Sequence, residues 1–184
     1  LRRHGFVHEK SAHSYRLGAS IFRLGFQALE AIDLRTIARP YMEELNRATG
    51  ETIHLGALED DEVIYLDKVE ATHRVRMQTR IGAISPLHCT GVAKAIIAFL
   101  TSTERHRLLS HRDLKSFTPK TITSIDRLEA DLAQTRERGF ALDEEENEVG
   151  IHCVAAPIMS GQGQIVGAFS ITAPMSRVDR ETLL

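Results

Sequence analysis

The 184-residue chain is 42% hydrophobic and carries a formal net charge of −2. That length and content allow one sizeable core with a small appendage, while the near-neutral balance argues against a nucleic-acid coat over the whole chain and no apolar run reaches membrane-spanning length. Cys89 and Cys153 stand far apart with no secretory h-region before them, which fits a reducing, cytoplasmic setting better than a disulfide scaffold.

Charge is segregated along the chain. Arg2, Arg3, Lys10 and Arg16 face only Glu9 near the start, with His4, His8 and His13 as further donors. The opening L-R-R-H reads as the end of a helix, so a further N-terminal domain is expected before it. Gly5-Phe6-Val7 and Tyr15-Arg16-Leu17 flank a polar loop and predict a small hairpin, one that would be unstable alone. Ile21, Leu24, Ala28 and Leu29 keep helical spacing and predict a linker helix over 19–32. Asp33 is expected to cap a second helix carrying Leu34, Ile37, Ala38, Tyr41, Met42 and Leu45 as far as Gly50, with Pro40 starting a new segment or kinking it.

After Gly50 the period changes to two, and T-I-H-L-G-A-L, an E-D-D turn and V-I-Y-L-D-K-V predict an antiparallel hairpin. Val75, Met77 and Thr79 suggest a third strand. A T-x-x-E capping box at Thr101 to Glu104 predicts a short helix with Leu108 and Leu109, and Ser124 caps a clearer one that carries Ile125, Leu128 and Leu132 and ends at Gly139. Phe140 to Leu142 opens a strand that runs into Asp143–Glu148, where five of six residues are carboxylates. I-H-C-V-A-A-P-I and I-V-G-A-F-S-I-T-A are then two apolar strands about a Gly-rich turn, and Ser176 marks a last helix start. Helices interleaved with hairpins indicate an α+β domain with a mostly antiparallel sheet.

Ser85 to Leu100 is the stretch with most to offer chemically. Thr90 or Cys89 is the expected N-cap, and the first-turn N–H groups of Gly91, Val92 and Ala93 can hold a carboxylate at the positive end of the helix. The run from Ala95 to Leu100 would bury that helix on most of its circumference. Lys94 and Lys68 read as surface charges. On the final strand Ser170 and Thr172 share a face while Phe169 and Ile171 take the other, and Cys153 shares its own face with Ala155. Two hydroxyls, a thiol and helix-terminal N–H groups can bind a carboxylate and its neighbouring carbonyl without a buried cation.

Other readings of the same residues exist. Cys153 could be a small buried hydrophobe, and Asp143 the first charge of a solvated loop, although its place at a strand end suits a pocket mouth. A metal site from His88-Cys89, His152-Cys153 and His54 is disfavoured because strand neighbours point to opposite faces and no C-x-x-C occurs. A cytosolic thiol or metal-dependent enzyme using Cys153 is the alternative function, and it would need His88 or His54 within reach of the thiol.

Four motifs recur in a telling order: G-F-V…Y-R-L-G, A-R-P-Y-M-E-E-L…T-G-E-T-I-H-L, P-L-H-C-T-G-V-A-K-A and D-E-E-E…G-I-H-C-V-A-A-P-I. In these the chain resembles the IclR (isocitrate lyase regulator) family of bacterial transcription factors over nearly its whole length. The resemblance implies that residues 1–18 are the wing of a winged helix-turn-helix domain, with Arg2, Arg3, Lys10 and Arg16 toward DNA phosphate. It implies a linker helix at 19–32 and a GAF-like effector-binding domain at 33–184. It also implies a homodimer or homotetramer that meets operator DNA through the full-length protein. The ligand cage it implies comprises Gly91, Val92, Asp143, Cys153, Ser170 and Thr172 around a small oxo- or hydroxy-acid, with Val92 and Thr172 standing where Ala and Ser are frequent. No cofactor, metal, membrane or catalytic residue is implied.

Overall fold

The structure, a computed structural model, describes residues 1–11, 14–31, 33–74 and 79–178. Two compact units divide the chain, Leu1–Ile37 and Ala38–Leu184. In the first, a 3-10 turn at Arg2–His4 precedes an antiparallel hairpin of β1 (Val7–Ser11) and β2 (Ser14–Leu17). The hairpin starts later than the sequence predicts, and neither strand buries a side chain completely. Helix α1 follows at Ala19–Ala31, within the range expected of the linker.

Helix α2 (Asp33–Thr49) runs through Pro40 as one element, correcting the expectation of a new segment there. Pro40 removes one helical donor on an exposed side, while Ala38, Met42 and Asn46, four residues apart, are buried. Asn46 donates to the carbonyls of Glu51 and Glu70 at 2.7 and 3.0 Å, which ties the helix to the sheet. Ile37 and Tyr41, counted into the apolar stripe from sequence, are exposed instead. The expected cap at Asp33 falls outside the described side chains.

Among the described residues the second unit forms a six-stranded sheet in the order β5-β4-β3-β8-β7-β6, with β3 at Thr52–Glu59, β4 at Glu62–Val69, β5 at Ile84–Ser85, β6 at Ala141–Glu144, β7 at Ile151–Met159 and β8 at Ile165–Pro174. Every pairing is antiparallel, as the α+β reading requires. The third strand suggested by Val75, Met77 and Thr79 lies outside the described residues except for Thr79, which is in no strand, and the short β5 extends the β4 edge. Residues 174–177 form a turn after β8, and the helix expected beyond Ser176 falls largely outside the described residues.

Helix α3 (Gly91–Ala98) is the centre of the core. All of its residues are buried. It packs with Leu108 and Leu109 of α4 (Ser102–Leu109), Leu128 and Leu132 of α5 (Ile125–Arg138), and Ala141, Ala155 and Ala168 of the sheet. The capping box at Thr101 is present, with Glu104 N–H donating to Thr101 Oγ1 at 3.2 Å and Thr101 N–H to Glu104 Oε2 at 2.9 Å. Two glycines set how closely α3 approaches the strands. A Cβ on Gly91 would stand 2.7 Å from Cys153 Sγ, and one on Gly56 would stand 2.8 Å from Val92 Cγ2. Neither spacing is tolerated by real side chains, so both positions must be bare for helix and sheet to meet.

Candidate functional site

Strand register brings the sequence-distant residues together. Asp143 pairs with Cys153 and Cys153 with Thr172, while Ala155 pairs with Ser170 and Ser170 with His54. Directly paired residues point to one face, so a carboxyl, a thiol, two hydroxyls and an imidazole line the same side of four adjacent strands. The N-terminus of α3 meets this face at Gly91. Between them lies a small cavity of about 40 Å³, lined by Gly91, Val92, Asp143, Cys153, Ser170 and Thr172. All six residues named from sequence therefore converge. His54, Tyr65, Thr79, Thr90, Asn147 and Ile151 also line it.

The helix end is left open toward the cavity. Thr90 is the N-cap, but its side chain makes no capping bond. Its Oγ1 instead donates to Pro86 O at 2.9 Å and shares a 2.6 Å hydrogen bond with Ser85 Oγ, which lies 3.3 Å from Tyr65 Oη. The first-turn N–H groups keep their partial positive charge and, among the described residues, no side chain caps them.

Burial governs the chemistry of the lining. Loss of water, with the nearby Asp143 carboxyl adding to it, pushes the Cys153 thiol up to about 12, against the effect of Thr172 and Ser170. Asp143 is 5% exposed, and the same loss of solvent pushes its carboxyl up to about 7 although Glu146 N–H donates to Oδ1 at 2.8 Å. His54 is driven down to about 4 by burial and by Lys68, so its ring is neutral near pH 7. That ring shares hydrogen bonds with Thr79 Oγ1 through Nε2 and, at 3.4 Å, with Thr172 Oγ1 through Nδ1.

A protonated thiol whose neighbouring imidazole is engaged by threonines is not an activated nucleophile. His88, the other candidate base, shares its Nε2 with the Lys115 carbonyl at 2.9 Å. Among the described residues no group of three or more His, Cys, Asp or Glu side chains gathers to hold a metal ion. No described helix is long and apolar enough to cross a membrane.

Lys94 corrects the sequence reading outright. It is completely buried, and its Nζ donates to Glu146 Oε1 and Oε2 at 2.6 and 2.8 Å and lies 3.1 Å from Asp131 Oδ2. A lysine in a short apolar helix gives no local sign of partners 37 and 52 residues away in sequence. Asp143 likewise opens a buried turn rather than a solvated loop. His54 entered the sequence reading only as a metal ligand or base. Alternation fixes which side of β3 it faces, but the β3–β8 pairing that puts it opposite Ser170 has no local signal.

In the N-terminal unit, Arg2, Arg3, Lys10 and Arg16 are all exposed. Arg2 is ion-paired with Glu9 and lies 5.6 Å from the Tyr15 ring centre, Arg16 stands opposite His8 across the hairpin, and Lys10 sits at an irregularity in the strand register.

Residues 26–184 match the family model described as bacterial transcriptional regulator IclR C-terminal. The chain is 39% identical to the HTH-type transcriptional regulator XynR of Escherichia coli over 180 residues, covering 97% of this chain and 71% of XynR. It is 38% identical to the HTH-type transcriptional regulator KdgR of the same organism, covering 97% of this chain and 68% of KdgR. The crystal structure of the Thermotoga maritima IclR superposes with a TM-score of 0.84 at 35% identity, over all of this chain and 74% of that one.

Proposed function

Since the chain belongs to the IclR family of bacterial transcriptional regulators, we propose that residues 33–184 sense a small carboxylate metabolite, an oxo- or hydroxy-acid, in the cytoplasm. One observation carries this reading: the cavity joins a helix N-terminus that Thr90 leaves without a side-chain cap to paired hydroxyls and a buried carboxyl, and among the described residues its lining holds no Lys or Arg. The N–H groups of Gly91 and Val92 would take the ligand carboxylate. Ser170 and Thr172 would donate to its carboxylate or to the adjacent oxygen, and Asp143 would meet a hydroxyl or carbonyl. Val92 and Cys153 close the apolar remainder.

The N-terminal unit belongs to the same proposal. Residues 1–18 would form the wing of a helix-turn-helix domain in the full-length protein, with Arg2, Arg3, Lys10 and Arg16 toward operator phosphates. Residues 19–32 would link that domain to the sensor. In a homodimer or homotetramer, a ligand preferring one of two arrangements of the DNA-binding domains would change operator affinity by that preference.

Calorimetry with pyruvate, lactate and their amides tests the reading. We expect the acids to bind and the amides not to, and Ser170→Ala to lose about tenfold in affinity, the value of one hydrogen bond to a charged group. Unchanged affinity in Ser170→Ala would remove the proposed cage.

A further inference from the structure

Lys94 is a buried cation that the proposed ligand contacts do not use. It stands three residues after Gly91, on the same side of α3, so one helical face offers the cavity floor at Gly91 and an ammonium one turn deeper. That ammonium grips the acidic loop 144–148 by Glu146. Glu146 and Asn147 in turn donate their backbone N–H groups to Asp143 Oδ1 at 2.8 and 3.4 Å. The carbonyl side of the same residue is held separately, with Thr121 Oγ1 donating to Glu146 O at 2.6 Å. Burying an ammonium with two carboxylates is seldom stabilising relative to an apolar trio of similar volume. Its value has to lie in what it holds in place.

We infer that Lys94, through its ion pair with Glu146, is a positioning residue that fixes the Asp143 carboxyl in the cavity at the N-terminus of α3. The inference rests on the carboxylate-sensor reading for its ligand arm only. The chain of contacts is continuous: the lysine sets the Glu146 side chain, the Glu146 and Asn147 amides set the Asp143 carboxyl, and Asp143 forms one wall of the cavity. Asp131, on α5, is a second carboxylate 3.1 Å from the ammonium, so Lys94 keeps a partner when Glu146 is removed.

Glu146→Met is therefore the variant to make, because it cuts the tie yet leaves Lys94 paired with Asp131. Lys94→Met/Glu146→Met is the second, carrying neither charge. Amide hydrogen exchange at Glu146 or its replacement and at Asn147 reads the loop without any ligand, and pyruvate calorimetry reads the cavity. In whichever variant keeps a cooperative melt near that of the wild type, we expect exchange at both amides to rise about tenfold or more, and pyruvate affinity to fall about tenfold. Wild-type protection at both amides would overturn the inference, as would faster exchange with undiminished pyruvate affinity. Wild-type protein that binds neither pyruvate nor lactate would instead overturn the sensor reading, and the exchange arm would still decide whether the lysine orders the Asp143 turn.

Discussion

Asp143 and His54 line one cavity and answer pH with opposite sign. Burial raises Asp143 from 3.8 to about 7, so the folded chain keeps a proton that the unfolded chain has lost. Its contribution to stability is complete below the unfolded value and is lost as pH rises through about 7. His54 falls from 6.5 to about 4, so the unfolded chain takes up a proton that the folded ring refuses. Stability is lost there as pH drops from 6.5 through about 4. Between those limits the two slopes, each up to about 1.4 kcal/mol per pH unit for a single proton, oppose one another. Urea unfolding from pH 4 to 7 should expose them singly: relative to wild type, Asp143→Asn loses stability as pH falls and His54→Asn loses it as pH rises. Parallel curves for the three proteins would mean that neither group titrates across this window. Only part of this was legible in the sequence. Ser170 and Thr172 declare a shared face by their spacing, whereas Lys94 takes its role from Glu146 and His54 its place opposite Ser170, each more than fifty residues away.

At the level of elements, the contact of α3 with β7 is built on the absence of a side chain. Gly91→Ala would place a methyl group 2.7 Å from Cys153 Sγ, so helix or thiol must shift. We expect a loss of about 1–3 kcal/mol in denaturant unfolding, the usual cost of overpacking. Adding Cys153→Ala should recover part of it, since the nearest neighbour would then be Ala155 Cβ at 3.4 Å or the Cβ of residue 153 at 3.5 Å. Losses that simply add would place the strain elsewhere. The elements most readable from sequence were those with local chemistry: the Thr101 box, the Ser124 cap and the β3–β4 and β7–β8 hairpins. The short β5 and the unbroken α2 were not, because a two-residue strand has no period and the burial that carries a helix past Pro40 is tertiary.

Across the whole molecule, stability is unevenly distributed between the two units. The hairpin at Val7–Ser11 and Ser14–Leu17 has no fully buried side chain, while α3 is enclosed throughout. Amides of β1 and β2 should therefore exchange orders of magnitude faster than those of Ile96 and Ile97, which open only with global unfolding. Equal protection in the two places would show that the hairpin folds with the core. The family likeness and the antiparallel architecture could be read from the ordered motifs, yet strand order could not, since β3 takes β8 as its neighbour across more than a hundred residues of chain. That pairing has a consequence for how the protein comes into being. While the chain is still leaving the ribosome, β3 and β4 can zip together early, but the other edge of β3 stays open until β8 has been made. Ser170 and Thr172 of the cavity wall arrive with that strand. The cavity is thus incomplete in a newly synthesised chain until β8 has emerged, and the bare β3 edge is where a chaperone, or a second nascent chain, would find it first.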